Sequence, residues 1–392
     1  MNKPRPNAGT RANTIRRRPV VLTKRSTTAP TRVAVLGTGS WGTTFAKILA
    51  DGGADVYMWA RRAEAAAAID REHRNAEYLP GVTLPANLRA TSDLKAAITG
   101  AAVVFIAVPS QALRDNLTAI KPLLGRDTIV VSLMKGVEKQ TGLRMSQVIE
   151  QCLEIEPERV AVASGPNLAM EIAKEQPTAA VISSVSLETA QEVALLARNR
   201  YFRTFVNTDV IGTEFGGVLK NLIAVAIGIV DGVGYGENTK ASIITRGLVE
   251  MTDFAVAQGA HAETLSGLAG LGDLIATCQS PLSRNNTAGR LLGQGYSLAS
   301  VVKQMQQTAE GLASVAPVLE IAAASGVEMP IVQQVKRVIE GTMDPRDIAP
   351  HLTTASDEPQ SEHGETGEIA PLGTGSVKSG SRLWRRLFGS GR

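Results

Sequence analysis

Residues 33–42 read Val-Ala-Val-Leu-Gly-Thr-Gly-Ser-Trp-Gly, and this stretch decides the fold. Four apolar residues lead into the pattern Gly37-x-Gly39-x-x-Gly42, and the residues that follow have the apolar spacing of a helix. In such a strand–turn–helix unit the first glycine permits the turn, the second lets the backbone approach a pyrophosphate, and the third lets the helix pack closely. The helix start also offers free N–H groups to phosphates. The stretch predicts a dinucleotide site; the alternative is a structural glycine turn in another α/β protein.

Alternation of strand-like and helical segments indicates how the chain is organised. Further apolar strand-like runs occupy residues 54–60, 103–109, 128–133, 159–164, 178–183 and 202–206. After Val210 the pattern changes: Glu214–Val230 has long helical apolar spacing, and no strand-like alternation follows as far as Gly341. We therefore predict an α/β fold, with a Rossmann-type doubly wound sheet over 31–209 and an all-helical domain over 210–343.

Both ends of the chain differ in composition from its body. Residues 1–32 contain nine Lys or Arg and no acid, so the pI of 9.1 reflects this arm and gives no argument for nucleic-acid binding by the folded part. We expect residues 1–30 to be a disordered arm, with a targeting peptide as the alternative. Residues 344–392 are expected to be a disordered tail. Its basic amphipathic end, Arg382–Phe388, is a frayed tail or a contact for an anionic membrane surface.

Several classes of protein are disfavoured by what the sequence lacks. Cys152 and Cys278 are far apart and fit neither a disulfide framework nor a metal site, and none of the four histidines has metal-ligand spacing. We expect no apolar run to reach the roughly 20 residues needed to cross a bilayer. We expect no metal, no stable membrane insertion and a reducing compartment, the cytoplasm.

The end of the second strand bears on the choice of cofactor. An enzyme that prefers NAD usually places Asp or Glu there, on the ribose 2′-hydroxyl. This chain has Arg61 and Arg62 at that point, and Asp55 lies at the wrong end of the strand. Two guanidinium groups suit a 2′-phosphate, which favours NADPH with NADH possible. The alternative is that the arginines cover a helix start and face water.

Two lysines are placed where chemistry is expected. Lys135 follows a strand, and the carboxyl ends of parallel strands border the ligand crevice. Lys220, with Asn221, lies inside an apolar helix, where an unpaired ammonium would be costly. Such a lysine faces a cleft, finds a partner or loses its proton. In an apolar cleft the pKa of a lysine can fall towards about 7–8, where it can exchange a proton with substrate. The alternative is a lysine that reaches the rim of the helix.

A third cluster combines an acid with anion-binding groups. Asp273 follows Gly270-Leu-Gly272 in an apolar stretch and could hold a substrate hydroxyl or orient Lys220. Ser283, Arg284 and Asn285 supply a hydroxyl, a fork of N–H donors and an amide where a helix begins. They are typical of a phosphate cradle, although Ser-Arg-Asn is also an ordinary loop.

Together these clusters identify a family resemblance. The chain resembles the bacterial NAD(P)-dependent glycerol-3-phosphate dehydrogenases over about residues 31–342, and both tails lie outside the resemblance. The matching stretches, in the order of the family, are Gly37–Gly42, Lys135-Gly136, Ser164-Gly165-Pro166, Leu219-Lys220-Asn221, Gly270–Leu274, Ser283-Arg284-Asn285 and Glu310-Gly311.

The resemblance implies roles for individual positions. Lys220 would accept the proton in glycerol-3-phosphate oxidation and donate it in the reverse direction. Substrate contacts are implied for Lys135, Gly165, Asn167, Lys220, Asp273, Ser283, Arg284 and Asn285. Cofactor contacts are implied for Gly37, Gly39, Ser40, Trp41, Gly42, Arg61, Arg62, Lys135, Ala169, Arg284, Thr308 and Glu310. The family usually has Ser or Thr where this chain has Asn167, so there an amide replaces a hydroxyl.

The implied reaction is reversible hydride transfer that links dihydroxyacetone phosphate to sn-glycerol 3-phosphate, in a homodimer that supplies phospholipid synthesis. Two alternatives stay open at this point. One is a related dehydrogenase acting on a hydroxyacyl thioester or a sugar acid, which would use other catalytic groups. The other is a non-catalytic sensor that binds NADPH and a protein partner.

Overall fold

A computed structural model describes residues 30–305 and 309–348 of the chain. The strands are β1 (Arg32–Leu36), β2 (Asp55–Trp59), β3 (Leu88–Thr91), β4 (Val103–Ile106), β5 (Ile129–Ser132), β6 (Val160–Ser164), β7 (Thr178–Ser183) and β8 (Phe202–Asn207). The helices are α1 (Ser40–Asp51), α2 (Ala63–Glu72), α3 (Leu94–Ile98), α4 (Leu113–Ile120), α5 (Met145–Leu153), α6 (Ala169–Ala173), α7 (Leu187–Ala197), α8 (Val210–Val233), α9 (Glu237–Ala257), α10 (Ala262–Leu265), α11 (Asp273–Gln279), α12 (Arg284–Gly293), α13 (Leu298–Gln304), α14 (Glu310–Ala324) and α15 (Pro330–Ile339).

All eight strands form one sheet in the order β3-β2-β1-β4-β5-β6-β7-β8. The first six run parallel, β7 pairs antiparallel with β6, and β8 runs parallel to β7. The α/β sheet followed by helices confirms the predicted fold class. The sequence reading missed β3, because this short edge strand is only partly buried and has no long apolar run.

Alternate residues of the central strands pack on opposite faces of the sheet. In β1, Val33 and Val35 join a core that includes Phe45 of α1, whereas Ala34 and Leu36 join a core that includes Leu117 of α4. Burial on both faces explains why these strands read as continuous apolar runs. The strand order places the carboxyl end of β1 inside the sheet, beside that of β4.

The long helix α8 is the core of the helical part. By length and composition it could cross a bilayer, so the expectation that no apolar run is long enough was wrong. In the sequence, the polar pair Lys220-Asn221 interrupts this apolar run, so the run looks shorter than the helix is. In the structure, 83% of its most apolar window is buried inside the protein, against helices such as α9, α12 and α14.

Helices α8 and α12 approach each other through glycines. Gly228 and Gly232 lie on α8, and Gly289 and Gly293 lie on α12. A Cβ atom at any of the four would lie 2.1–2.2 Å from a backbone carbonyl oxygen of the other helix. Only glycine permits this approach, which holds the start of α12 at a fixed place along α8.

We predict that Gly289→Ala lowers the free energy of unfolding by about 2 kcal/mol. The higher helix propensity of alanine is worth about 1 kcal/mol, but a contact at 2.1 Å with the Val225 carbonyl forces two backbones apart. Urea denaturation measures the difference. The control is Gly236→Ala, at a helix start with no atom within 4 Å of the added Cβ. Equal effects of the two substitutions would contradict this packing argument.

Candidate active site

The turn between β1 and α1 has the geometry that its three glycines predict. Gly37 has φ +116°, and a Cβ there would lie 2.4 Å from the Ala107 carbonyl oxygen. A Cβ at Gly42 would lie 2.3 Å from the Gly37 carbonyl oxygen. Both positions therefore require glycine, for the turn and for the close approach of α1.

The start of α1 fits the phosphates of a dinucleotide. A Cβ at Gly39 would meet no atom within 4 Å, so the backbone there borders open space. No side chain caps this helix start and no acid lies in its first turn, which leaves the helix dipole to favour an anion. Among the described residues, the buried Trp41 Nε1 has no hydrogen-bond partner, while its ring packs on Phe45.

Arg61 and Arg62 follow β2, as predicted, and both are exposed. The Arg62 guanidinium pairs with the carboxylate of Glu77, which lies 15 residues away. Tyr78 is half-buried beside this pair, and the pKa of its hydroxyl is raised by burial and by Glu77. An acidic residue, Glu77, is therefore paired with an arginine that follows β2. It comes from a later loop and not from the end of the strand itself.

The loop after β6 contributes a second group of predicted residues. Gly165 has φ +128°, and its carbonyl oxygen accepts a hydrogen bond of 3.1 Å from Lys135 Nζ. Both amide atoms of Asn167 are buried and, within residues 30–305 and 309–348, have no hydrogen-bond partner. The carbonyl of Ala169 accepts a bond of 3.2 Å from the Thr44 hydroxyl, which fixes α6 against α1. An unpaired buried amide is costly, so Asn167 is suited to a ligand.

The buried carboxylate of Asp273 joins the two predicted lysines. Its Oδ2 lies 2.5 Å from Lys135 Nζ, and its Oδ1 lies 3.0 Å from Lys220 Nζ. Lys220 Nζ also donates to the Thr277 hydroxyl at 2.6 Å, and that hydroxyl donates to Asp273 Oδ1 at 3.2 Å. Lys135 comes from the loop after β5, Lys220 from α8 and Asp273 from the start of α11, so three separate parts of the chain meet at one carboxylate.

Two adjacent glycines let Lys220 reach this place. A Cβ at Gly216 would lie 2.4 Å from the Ala269 carbonyl oxygen, and a Cβ at Gly217 would lie 2.8 Å from Ser164 Oγ. Helix α8 therefore touches both the segment before Asp273 and the end of β6. Larger residues at these positions would separate the lysine from its partner.

Burial lowers the pKa of Lys220 from 10.5 to about 8. The nearby carboxylate of Asp273 opposes this change, and the positive charge of Lys135 adds to it. Asp273 cannot offset the effect of burial fully, because it also pairs with Lys135. Lys220 can therefore both give and take a proton near neutral pH.

The predicted phosphate cradle begins helix α12. The Ser283 hydroxyl accepts a bond of 3.3 Å from the Asn286 N–H, which makes Ser283 the N-cap. The Asn285 amide donates to Asn221 Oδ1 at 2.8 Å, and its oxygen accepts from the Gly311 N–H at 3.0 Å. Arg284 is exposed at the same helix start. Asn285 thus has one amide hydrogen beyond its bond to Asn221, and its oxygen ties α12 to α14.

Glu310 opens α14 and faces the same cluster. Burial raises the pKa of its carboxyl, while Arg284, Lys135 and Lys220 act in the opposite direction, as does a hydrogen bond from the Ser110 backbone. Glu310 is therefore close to the predicted substrate residues and to Ser110, which lies in the segment after β4. Thr308, also predicted at the cofactor, lies outside the described residues.

Comparison with known proteins decides the family. The family model described as the N-terminus of NAD-dependent glycerol-3-phosphate dehydrogenase matches residues 32–190, and the model of its C-terminus matches residues 209–350. The chain belongs to this family. The two alternative interpretations, another dehydrogenase and a non-catalytic sensor, are therefore set aside.

Individual relatives support the assignment over most of the chain. Glycerol-3-phosphate dehydrogenase [NAD(P)+] of Leifsonia xyli is 74% identical over 328 residues, which cover 84% of this chain and 89% of that protein. The protein of the same name from Streptomyces griseus is 50% identical, over 85% of this chain and 99% of that protein. The crystal structure of glycerol-3-phosphate dehydrogenase from Coxiella burnetii has a TM-score of 0.78 and 36% identity, over 83% of this chain and 99% of that one.

Some residues of the site were missed in the sequence. Thr277 lies four residues after Asp273 on one helix face, and that spacing could have revealed it. Glu77 and the Ser110 backbone carry no comparable signal, because only the fold brings them to Arg62 and Glu310. In the parts of the chain that the structure covers, no group of three or more His, Cys, Asp or Glu could hold a metal.

We predict that Asp273→Asn shifts the acid–base pKa of the enzyme below 8. The carboxylate raises the pKa of Lys220, so its loss leaves burial and Lys135 to act unopposed. The pH dependence of kcat/KM measures the shift. Asp231→Asn is the control. Asp231 also forms an ion pair with a lysine, Lys240 at 3.2 Å, but this pair lies outside the cluster around Asp273. A pKa that stays near 8 in Asp273→Asn would contradict the role of the carboxylate.

Proposed function

We propose that this chain interconverts dihydroxyacetone phosphate and sn-glycerol 3-phosphate with Lys220 as its acid–base group. The observation that carries this role is the buried Lys220 ammonium, which shares the Asp273 carboxylate with Lys135. A lysine with a pKa of about 8 donates a proton when the ketone is reduced and accepts one when the alcohol is oxidised. The nicotinamide cofactor of the family supplies or accepts the hydride.

The surrounding charges suit an anionic substrate. Reduction of a ketone builds negative charge on its oxygen, and Lys135 and Lys220 provide positive charge for it. We assign the substrate phosphate to the start of α12, where Ser283, Arg284 and Asn285 combine a hydroxyl, a guanidinium group and an amide. Binding the phosphate there would orient the carbon that reacts. Gly165, Asn167 and Asp273 complete the proposed substrate site.

We assign the cofactor to the β1–α1 turn and its neighbours. The phosphates would lie at Gly37, Gly39, Ser40, Trp41 and Gly42, and the adenosine end at Arg61 and Arg62. Further contacts are assigned to Lys135, Ala169, Arg284, Thr308 and Glu310. The family uses NAD(P), and two arginines favour the 2′-phosphate of NADPH. Glu77 competes for Arg62, which keeps NADH as the second cofactor.

The remaining expectations are also proposals. We propose a dinucleotide-binding domain over 31–209 and a substrate domain over 210–343, supported by the change from strands to helices after Asn207. We further propose a cytoplasmic homodimer whose product supplies glycerophospholipid synthesis, supported by the family to which the chain belongs. We also propose that the protein binds no nucleic acid and does not insert stably into a membrane.

The test follows NADPH absorbance with dihydroxyacetone phosphate. We expect turnover by the native chain and a loss of about 10²–10⁴-fold in kcat for Lys220→Ala, the range for a general acid. Lys240→Ala is the control, since Lys240 pairs with Asp231 and Glu237 outside the site. The same assay with NADH compares kcat/KM for the two cofactors, and a preference for NADH would contradict the argument from Arg61 and Arg62. Native protein that binds NADPH but turns over no dihydroxyacetone phosphate would contradict the proposed reaction.

A further inference from the structure

A loop that carries no predicted site residue crosses behind the dinucleotide turn. We call residues 73–84 the strap. Asn75 in the strap is 6% exposed, and its Nδ2 donates to the Thr38 carbonyl oxygen and to Thr43 Oγ1, both at 2.8 Å. Thr43 Oγ1 also donates to the Thr38 carbonyl at 3.2 Å. One amide group therefore holds the turn from a position 37 residues further along the chain.

The strap is itself fixed at several points. The Asn75 carbonyl oxygen accepts from the Leu79 N–H at 2.8 Å, and the His73 carbonyl accepts from the Leu84 N–H at 2.8 Å. Leu79 and Val82 are buried and pack with Ala173 at the end of α6. The Asn75 amide is thus presented by an anchored segment, so its position is set before any ligand binds.

Holding the Thr38 carbonyl has a consequence for the next residue. The Thr38 C=O and the Gly39 N–H belong to one planar trans peptide, so the two groups point in opposite directions. A carbonyl bound to Asn75 on the inner side directs the Gly39 N–H to the opposite side. Gly39 has no side chain, no atom lies near its missing Cβ, and no side chain caps α1. Two side chains therefore set the orientation of this peptide: Asn75 at 2.8 Å and, over a longer distance of 3.2 Å, the Thr43 hydroxyl that Asn75 also contacts.

We propose that Asn75 is a positioning residue of the dinucleotide site. Its side-chain amide orients the Thr38–Gly39 peptide so that the Gly39 N–H faces the pyrophosphate of the cofactor. This inference rests on the assignment of the cofactor to the β1–α1 turn. It does not depend on the substrate or on the role of Lys220.

The chain offers a matched control at the other end of the same helix. Asn87 Nδ2 donates to the carbonyl oxygens of Ala50 and Ala54, both at 2.8 Å, around the last turn of α1. Asn87 and Asn75 are the same residue type, each is bound to α1 or its flanking turn, and each donates two bonds from its Nδ2; the Asn75 Oδ1 also accepts from the Tyr78 N–H at 3.4 Å. Only Asn75 lies at the end assigned to the phosphates. If Asn75 were only structural, substitutions of Asn75 and of Asn87 should affect NADPH binding similarly. If Asn75 positions the cofactor, only its own substitutions should weaken NADPH binding.

The experiment compares Asn75→Ala and Asn75→Asp with Asn87→Ala and Asn87→Asp in the full chain. Calorimetry measures the Kd of NADPH without substrate, and amide hydrogen exchange follows residues 37–43 in the ligand-free protein. We expect both Asn75 variants to weaken NADPH binding by about 10–100-fold, the effect expected from loss of the buried hydrogen bond to the Thr38 carbonyl, and to exchange amide hydrogens faster in the turn. KM for NADPH should rise in parallel, with kcat within about twofold of native.

A ligand without a pyrophosphate localises the effect. Adenosine 2′-monophosphate should bind the native chain and the Asn75 variants equally, because it reaches only the adenosine end. The Asn87 variants should lower Tm but leave the Kd of NADPH unchanged. If Asn75→Asp fails to fold, Asn75→Ala alone gives the comparison; Thr43→Val, which keeps the bond from Asn75 to the Thr38 carbonyl and loses only the bonds of the Thr43 hydroxyl, should weaken NADPH less than Asn75→Ala does.

Three results would overturn the proposal: unchanged NADPH binding by the Asn75 variants, equal weakening by the Asn87 variants, or equal loss of adenosine 2′-monophosphate. Native protein that binds NADPH without reducing dihydroxyacetone phosphate would contradict the proposed reaction, yet the role of Asn75 would still be decided by binding. Native protein that binds neither NADPH nor NADH would overturn both.

Discussion

The site depends on one buried carboxylate shared by two lysines. Burying an ammonium group costs several kcal/mol unless an opposite charge lies nearby, and Asp273 provides that charge for both Lys135 and Lys220. The shorter distance, 2.5 Å, is to Lys135, so Lys220 at 3.0 Å is compensated less well. This imbalance, together with burial, explains a lysine pKa near 8 in a protein interior. If each lysine had a carboxylate of its own, the ammonium group would keep its proton to a higher pH.

Small residues make this arrangement possible. The three groups come from different parts of the chain, and α8 approaches the other two parts through glycines, where a larger residue would block the contact. Gly216 and Gly217 bring α8 against the segment that precedes α11 and against the end of β6, and the glycines of the α8–α12 contact set the place of the Ser-Arg-Asn segment. The sheet part depends on Gly37 and Gly42 in the same way. Backbone approach, more than any single side chain, therefore determines the geometry of the site.

Much of this was predictable from local sequence. The β1–α1 glycine pattern, the lysine in an apolar helix and the acid after two glycines each carry a strong local signal, and the structure brings Lys135, Lys220 and Asp273 together. Asn75 and Glu77 carry no such signal, because their partners lie 37 and 15 residues away and only the folded strap unites them. Strand β3 was missed for lack of apolar length, and the length of α8 was hidden by its polar pair.

The pH dependence of the native enzyme tests the central claim most directly. Ketone reduction consumes a proton, so the ratio of forward to reverse kcat/KM must change tenfold per pH unit whatever the mechanism. The pKa of the acid–base group sets the pH at which each plot of kcat/KM against pH bends. We expect kcat/KM for glycerol 3-phosphate oxidation to rise up to a bend near pH 8 and then level, and kcat/KM for reduction to be level below that pH and to fall above it. Profiles in which neither direction bends near pH 8 would contradict a buried Lys220 governed by the shared Asp273 carboxylate.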